Sequence, residues 1–227
     1  MKALSLQPNL VDQVRDALLE EVVSGRIKPG ERIIQEQIAQ ALGVSRQPVQ
    51  QALLLLRNQG LLNDAPGRGL IVALLDPDHV RHIYEIRAAI EGLACSKAAQ
   101  RLTTDDRAEG DQLIQAGRQA VLSGAVAQMI AADIRFHEFI YQLSGNPLIA
   151  STMATHLSYT QWVMGEVLVK DQQPRDIWDQ HEQIWLAIRQ GQSDLAHQRA
   201  TQHLMQACEF MIQRLGQTGA LAEPSTG

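Results

Sequence analysis

Residues 35–57 read QEQIAQALGVSRQPVQQALLLLR, and this stretch carries the pattern of a helix-turn-helix. Ala39, Gly43 and Val49 stand four and six residues apart. That order suits a small residue at a helix crossing, a glycine for a left-handed turn and an apolar knob on the second helix. Ile38, Leu42, Val44, Leu53 and Leu56 are expected to complete the buried contacts. Ser45 is suited to capping the second helix, and Pro48 falls in its first turn, where a missing N–H costs little. Arg46, Gln47, Gln50 and Gln51 are left facing outward. Arg and Gln can each make paired hydrogen bonds to base edges, so a helix end presenting them suits a DNA major groove. The plainer alternative for the same pattern is an ordinary αα-hairpin.

The flanking sequence extends the pattern to a winged helix. Val11, Val14, Leu18 and Val22 mark one face of a first helix over about 9–24, closed by Gly25. Ile27 is expected in a short extended piece ended by the turn Lys28-Pro29-Gly30-Glu31. Leu61-Leu62-Asn63 and Leu70-Ile71-Val72-Ala73 read as paired strands around a turn from Asp64 to Gly69. Arg68 at the tip of that wing can reach phosphate or a minor groove, or is simply an exposed turn arginine. Residues 1–75 carry eight Lys/Arg against seven Asp/Glu, a net +1, which leaves −6 for the remainder of a chain whose total is −5. So small a positive charge implies few phosphate contacts per subunit, and useful affinity then calls for a dimer on two half-sites.

Asp76-Pro77-Asp78 breaks the pattern and is placed as a linker between a DNA-binding domain over 1–75 and a second domain over 79–215. Beyond it only helices are expected, over about 78–101, 104–122, 126–143, 148–170, 174–190 and 193–215, with a disordered tail over 216–227. The fold expected is therefore mainly α, a winged helix-turn-helix followed by an antiparallel six-helix bundle. An apolar content of 45% supports two real cores, and 4% aromatic residues with few β-branched clusters favours helix. No segment approaches a membrane span and MKALSLQPNL lacks a signal-peptide core, so a cytoplasmic protein is expected. Cys95 and Cys208 share no motif spacing and read as buried free thiols.

Asp133 and His137 stand at i and i+4 beside Ile130 and Ile140. His181 falls on the stripe Ile177, Ile184, Ile188, and His203 on the stripe Ala196, Ala200, Ala207, Phe210. Any one of these histidines alone is more simply a hydrogen-bonded core residue. Burying three imidazoles and a carboxylate in one bundle is costly unless they satisfy one another or a cation. Such a donor set suits Zn²⁺ or Ni²⁺, with Mn²⁺ less favoured. Arg87 lies within the stripe Val80, Ile83, Ile90, Ala94, where it would either grip the carboxylate of a small ligand or pair with Glu91 one turn on. His79, His82, His156 and His197 join no convincing spacing.

Pro29-Gly30, Gly43-Val44-Ser45-Arg46-Gln47-Pro48-Val49, Gly60-Leu61-Leu62 and Gly67-Arg68-Gly69 together resemble the N-terminal domain of the GntR superfamily of bacterial transcription regulators. Asp133-x-x-x-His137, followed by Ser144-Gly145-Asn146-Pro147-Leu148 and by His181 and His203, resembles the all-helical effector domain of its FadR-type branch. Six effector helices place it nearer the VanR-like subgroup. The resemblance implies a homodimer on a palindromic operator, controlled by a small organic acid beside a bound metal. It maps DNA contacts onto Glu36, Ser45, Arg46, Gln47, Gln50, Gly67 and Arg68, and metal ligands onto Asp133, His137, His181 and His203. Glu36 and Gln50 depart from the arginines frequent at those places. The function expected is a ligand-responsive repressor rather than an enzyme. The alternatives are a metal-dependent hydrolase and a constitutive repressor with a structural metal.

Overall fold

A computed structural model describes residues 9–168 and 175–216 and divides the chain into two compact units, Met1–Leu74 and Leu75–Gly227. In the first unit α1 (Leu10–Val23) buries Val11, Val14, Leu18 and Val22 against α3 (Arg46–Asn58). Asn9 caps α1, its side-chain oxygen accepting from the Val11 amide at 3.2 Å. α2 (Gln35–Leu42) runs into Gly43 at φ 65°, a left-handed turn that a side chain would strain. α3 follows at once, with Val49, Ala52, Leu53 and Leu56 buried beneath it. Leu42, expected inside, is 41% exposed at the C-terminal end of α2, whose buried residue is Ala39.

The wing is a three-stranded antiparallel sheet in the order β1 (Arg32–Ile33), β3 (Leu70–Val72), β2 (Leu62–Asp64). Arg32 pairs with Ile71 on one side of β3, and Asn63 pairs with it on the other. The extended piece expected at Ile27 therefore lies further along, at Arg32–Ile33. Ile27 instead folds back on α1, its amide donating to the Glu21 carbonyl at 3.1 Å, and the Val72 amide reaches the Glu31 carbonyl at 2.9 Å.

Among the described residues six helices build the second unit: α4 (Pro77–Arg101), α5 (Thr104–Ser123), α6 (Val126–Leu143), α7 (Pro147–Leu168), α8 (Arg175–Arg189) and α9 (Ser193–Leu215). The expected linker at 76–78 is the start of α4. Asp76 caps it by accepting from the Asp78 amide at 3.0 Å, and Pro77 takes the first helical position, where proline is preorganised. Thr103 and Asp106 close a capping box at the head of α5. The expected end near Lys170, the helix opening at Pro174 and the tail beyond Gly216 lie outside the described residues.

α4 lies at the centre of this unit, packed along α9 and touching α6, α7 and α8. Its buried face runs through Tyr84, Arg87, Ala88, Glu91, Ala94, Cys95 and Ala98, so Glu91 rather than Ile90 is the inward residue one turn after Arg87. Phe136, Ile140, Met153, Trp162 and Trp185 fill the rest of the core, each burial stabilising by roughly 1.5–3 kcal/mol. α5 meets α8 through two glycines seven residues apart. A Cβ on Gly110 would lie 2.2 Å from the Trp185 ring, and one on Gly117 would lie 2.1 Å from the Trp178 ring. Cys95 and Cys208 are buried free thiols, and burial pushes both of their ionisations up.

Candidate functional site

Two groups of side chains stand out, one in each unit. On the first unit, Arg46, Gln47, Gln50 and Gln51 are exposed at the beginning of α3. Arg46, Glu36 and Arg68 line one open recess together with Arg32, Gln35 and Gly69, and Gln47 and Gln50 line its neighbour with Gln51 and Arg57. Ser45 occupies the N-cap position of α3, but its hydroxyl makes no capping bond. Ser45 and Gly67 are both exposed. The Arg46 guanidinium donates to the Glu36 carboxylate. Arg32 was not anticipated as part of this face. It donates to the Arg68 carbonyl, so that β1 holds the wing tip and adds a third arginine to the recess. Its two-residue strand has no periodicity by which the sequence could have placed it. At the other end of α3, Arg57 binds Asp64 of β2 at 2.8 Å.

The second group is wholly buried. α6 presents Asp133 and His137 one turn apart, α8 presents His181 and α9 presents His203. The ring nitrogens of the three histidines lie within 4.8 Å of one another. His181 Nε2 is 3.2 Å from His203 Nε2 and 3.5 Å from Asp133 Oδ1, and His137 Nε2 is 3.8 Å from Asp133 Oδ2. Tetrahedral ligands at zinc–nitrogen bonds of about 2.0–2.1 Å stand roughly 3.3 Å apart, so these spacings are of the size that one ion would set.

The outer edges of the rings are held in the sense that metal ligation requires. His137 Nδ1 meets Glu91 Oε2 at 2.6 Å, and His203 Nδ1 meets Gln180 Oε1 at 2.8 Å. A carboxylate or amide oxygen accepts only, so each Nδ1 carries a proton and, in the neutral ring, Nε2 keeps its lone pair turned inward. His181 Nδ1 has no hydrogen-bond partner among the described residues. Its ring is wedged between Trp178 and Phe136, with both centroids 4.7 Å away. The donor set, three imidazoles, two of them held by their outer nitrogens, and one carboxylate, fits a borderline divalent ion that takes the histidines deprotonated.

Burial dominates the electrostatics. It drives His181 well down and, with help from His137 and Arg87, pulls His203 down to about 3, so both rings are neutral. Burial raises Asp133 against the pull of His137 and Arg87. Burial also opposes charge on His137, but the Glu91 and Asp133 carboxylates outweigh it and raise that ring. Glu91 is held far below the usual carboxylate range, because Arg87 and His137 together overcome its desolvation.

Arg87 is 2% exposed and already engaged. Its Nε donates to Glu91 Oε1 at 2.7 Å, and its Nη1 reaches Thr160 Oγ1 at 3.4 Å. The pairing with Glu91 is thus the one realised, and through Glu91 the arginine braces His137. Glu91 and Gln180 are the residues that sequence reasoning missed in this role. The one signal for Glu91 is its i, i+4 spacing from Arg87, which predicts the pairing with the arginine but not the contact with His137. His79, His82, His156 and His197 stay outside the cluster; His79 packs edge-on against Tyr159.

Comparison with known proteins covers both units. Residues 10–72 match the family "Bacterial regulatory proteins, gntR family" and residues 82–206 match the "FCD domain". The HTH-type transcriptional regulator McbR of Escherichia coli (strain K12) is 33% identical over 141 residues, 62% of this chain and 64% of its own. The HTH-type transcriptional repressor RspR of the same organism is 26% identical over 201 residues, 88% of each chain. Among solved structures, E. coli McbR/YncC superposes with a TM-score of 0.81 at 24% identity, covering 91% of this chain and 99% of that one. A GntR transcriptional regulator from Rhodococcus sp. RHA1 gives 0.74 at 20% identity, over 89% of this chain and 97% of its own.

Proposed function

The chain belongs to the GntR family of bacterial regulatory proteins with an FCD effector domain, a DNA-binding transcription regulator rather than an enzyme, and from that premise we propose that it is a repressor whose helical unit binds a divalent metal, Zn²⁺ or Ni²⁺, and answers to a small carboxylate. Asp133, His137, His181 and His203 are the ligands, and the observation that carries the reading is the convergence of the three histidines beside Asp133, with the outer nitrogens of His137 and His203 already braced. When bound, such an ion supplies a Lewis-acidic point for a carboxylate oxygen. Charge favours an anionic effector. Arg87, Glu91 and Asp133 sum to −1, and a divalent ion held by deprotonated histidines would bring the buried cluster to +1, which one carboxylate neutralises. Repression has the support that RspR is named a repressor.

DNA recognition is assigned to Glu36, Ser45, Arg46, Gln47, Gln50, Gly67 and Arg68, presented by a homodimer to a palindromic operator. By linkage, acid and operator must change each other's affinity by the same factor. The test is fluorescence anisotropy of a labelled upstream operator, titrated with zinc-loaded protein in the presence of a panel of organic acids. An acid that weakens DNA binding, and is itself bound less tightly in the presence of operator, is the expected result. One observation favours a second reading, a constitutive repressor with a structural metal: Arg87, the expected carboxylate anchor, is occupied by Glu91. DNA affinity indifferent to every acid, with chelation lowering only the melting temperature, would establish that second version and overturn the first.

A further inference from the structure

The Glu36–Arg46 pair calls for an account that stability does not give. Both side chains are largely exposed, 72% and 66%, and an exposed ion pair contributes little to folding. Its effect is on the face. Over residues 35–57 the only cations are Arg46 and Arg57, and Arg57 is engaged with Asp64. The recess that receives Arg32, Arg46 and Arg68 contains one carboxylate, Glu36, and that carboxylate holds the guanidinium at the start of α3.

A carboxylate on a DNA-facing surface is repelled by phosphates and by every acceptor on a base edge. In the major groove guanine offers N7 and O6 and thymine offers O4, all acceptors. Cytosine offers an N4 amino donor, and adenine offers an N6 amino donor beside N7. An arginine beside the carboxylate has the opposite preference and suits guanine O6 and N7. Held together, the two side chains form one reading head of fixed polarity. Arg46 seeks a guanine, and Glu36 admits at the neighbouring position only a base with an amino group turned to it.

We infer that Glu36 is a specificity-determining residue, which selects cytosine, and secondarily adenine, at the base next to the one read by Arg46, and rejects guanine and thymine there by repulsion. The inference rests on the assignment of this face to DNA. It makes Glu36 a residue that lowers total affinity while raising discrimination, the mark of recognition by exclusion.

The test uses the full-length protein with Glu36→Gln and Glu36→Ala, against an operator selected from random sequence and then permuted one base pair at a time. Both variants should bind non-specific DNA more tightly. At one position the preference for cytosine over guanine or thymine should fall on the order of ten-fold, the size of one good base contact. That position should be adjacent to, and distinct from, the one relaxed by Arg46→Ala. Unchanged discrimination at every position would overturn the inference, as would a loss confined to the Arg46 position, which would make Glu36 a brace for the arginine and no more. Failure of the wild-type chain to select any sequence would instead remove the DNA-face assignment itself, and the two failures are told apart at the selection step.

Discussion

Gly110→Ala opposes two terms of similar size, and the structure determines which prevails. In an exposed helix the substitution would stabilise by about 1 kcal/mol, because alanine loses less backbone freedom on folding. At residue 110 the added Cβ meets three atoms of the Trp185 ring at 2.2, 2.4 and 2.5 Å, far inside any real contact. Trp185 has no easy retreat. Its Nε1 donates to Asp111 Oδ1 at 2.8 Å, and Arg189 holds the same carboxylate at 3.0 Å. Either α8 moves off α5, or the indole turns and strains its bond to the carboxylate. Overpacking of this kind costs about 1–3 kcal/mol, and straining a hydrogen bond to a charged group adds about 1–2 kcal/mol. Set against the propensity gain, the net is a loss of about 2 kcal/mol, or roughly 4–8 °C in Tm for a unit of this size.

The same shift is expected to reach the metal ligands, since His181 lies on α8 between Trp178 and Trp185. Calorimetric Tm and zinc titration of full-length Gly110→Ala should therefore fall together, with zinc affinity down on the order of ten-fold. Adding Trp185→Leu relieves the contact, so the double variant should lose less than the two singles summed. A Gly110→Ala protein that melts higher than wild type with intact zinc affinity would refute the packing argument, since only the propensity term would then be operating.

Other outcomes follow from the two sites. Arg46→Ala should weaken operator binding by about 1–3 kcal/mol, measured by anisotropy, with Tm and metal content unchanged; normal binding would displace the recognition surface. His181→Ala should lower bound zinc, read by elemental analysis after dialysis, while non-specific DNA binding persists. Arg87→Met leaves the buried Glu91 charge dependent on His137 alone and should cost up to about 3–5 kcal/mol in chemical denaturation, much of it recovered in Arg87→Met with Glu91→Gln; equal losses in both would show that the pair is not coupled. The metal-free protein should melt progressively lower as pH falls from the free histidine value of 6.5 toward 3. His181 and His203, both depressed, bind protons in the unfolded chain before they do in the fold, and outnumber the raised His137, which acts in the opposite sense. A Tm that climbs over that range would mean that the rings are charged in the native core.

The sequence made legible whatever rests on period and local chemistry. Asp133 and His137 share a helical face because they are four residues apart, and His181 and His203 announce themselves by interrupting apolar stripes with a ring that needs a partner. β1 was misplaced because two residues have no alternation to read, and Arg32–Ile33 becomes a strand only through pairing with Ile71 and Leu70, almost forty residues away. Gly110 and Gly117 look like simple weaknesses in α5 until Trp178 and Trp185, more than sixty residues on, are set against them. The pairing of Glu91 with Arg87 on its own helix is legible from their spacing. What makes it part of the site is His137 on α6, a contact between helices that no period in either one encodes.

Those contacts also define what moves with what inside the helical unit. Arg87 binds Glu91, Glu91 binds His137, Asp133 lies within 4 Å of both His137 and His181, and His181 meets His203, which Gln180 holds from behind. The chain of polar contacts crosses α4, α6, α8 and α9 through an interior where each member is costly without its neighbour. His181 and His203 would both hold a bound ion where they now meet at 3.2 Å, so α8 and α9 are the helices whose spacing would be most directly tied to occupancy. α8 is fixed on its other side by the glycine seats of α5. α8 thus carries a ligand on one side and packs Trp178 and Trp185 onto Gly117 and Gly110 of α5 on the other, so substitutions at those glycines should lower metal affinity even though they touch no ligand.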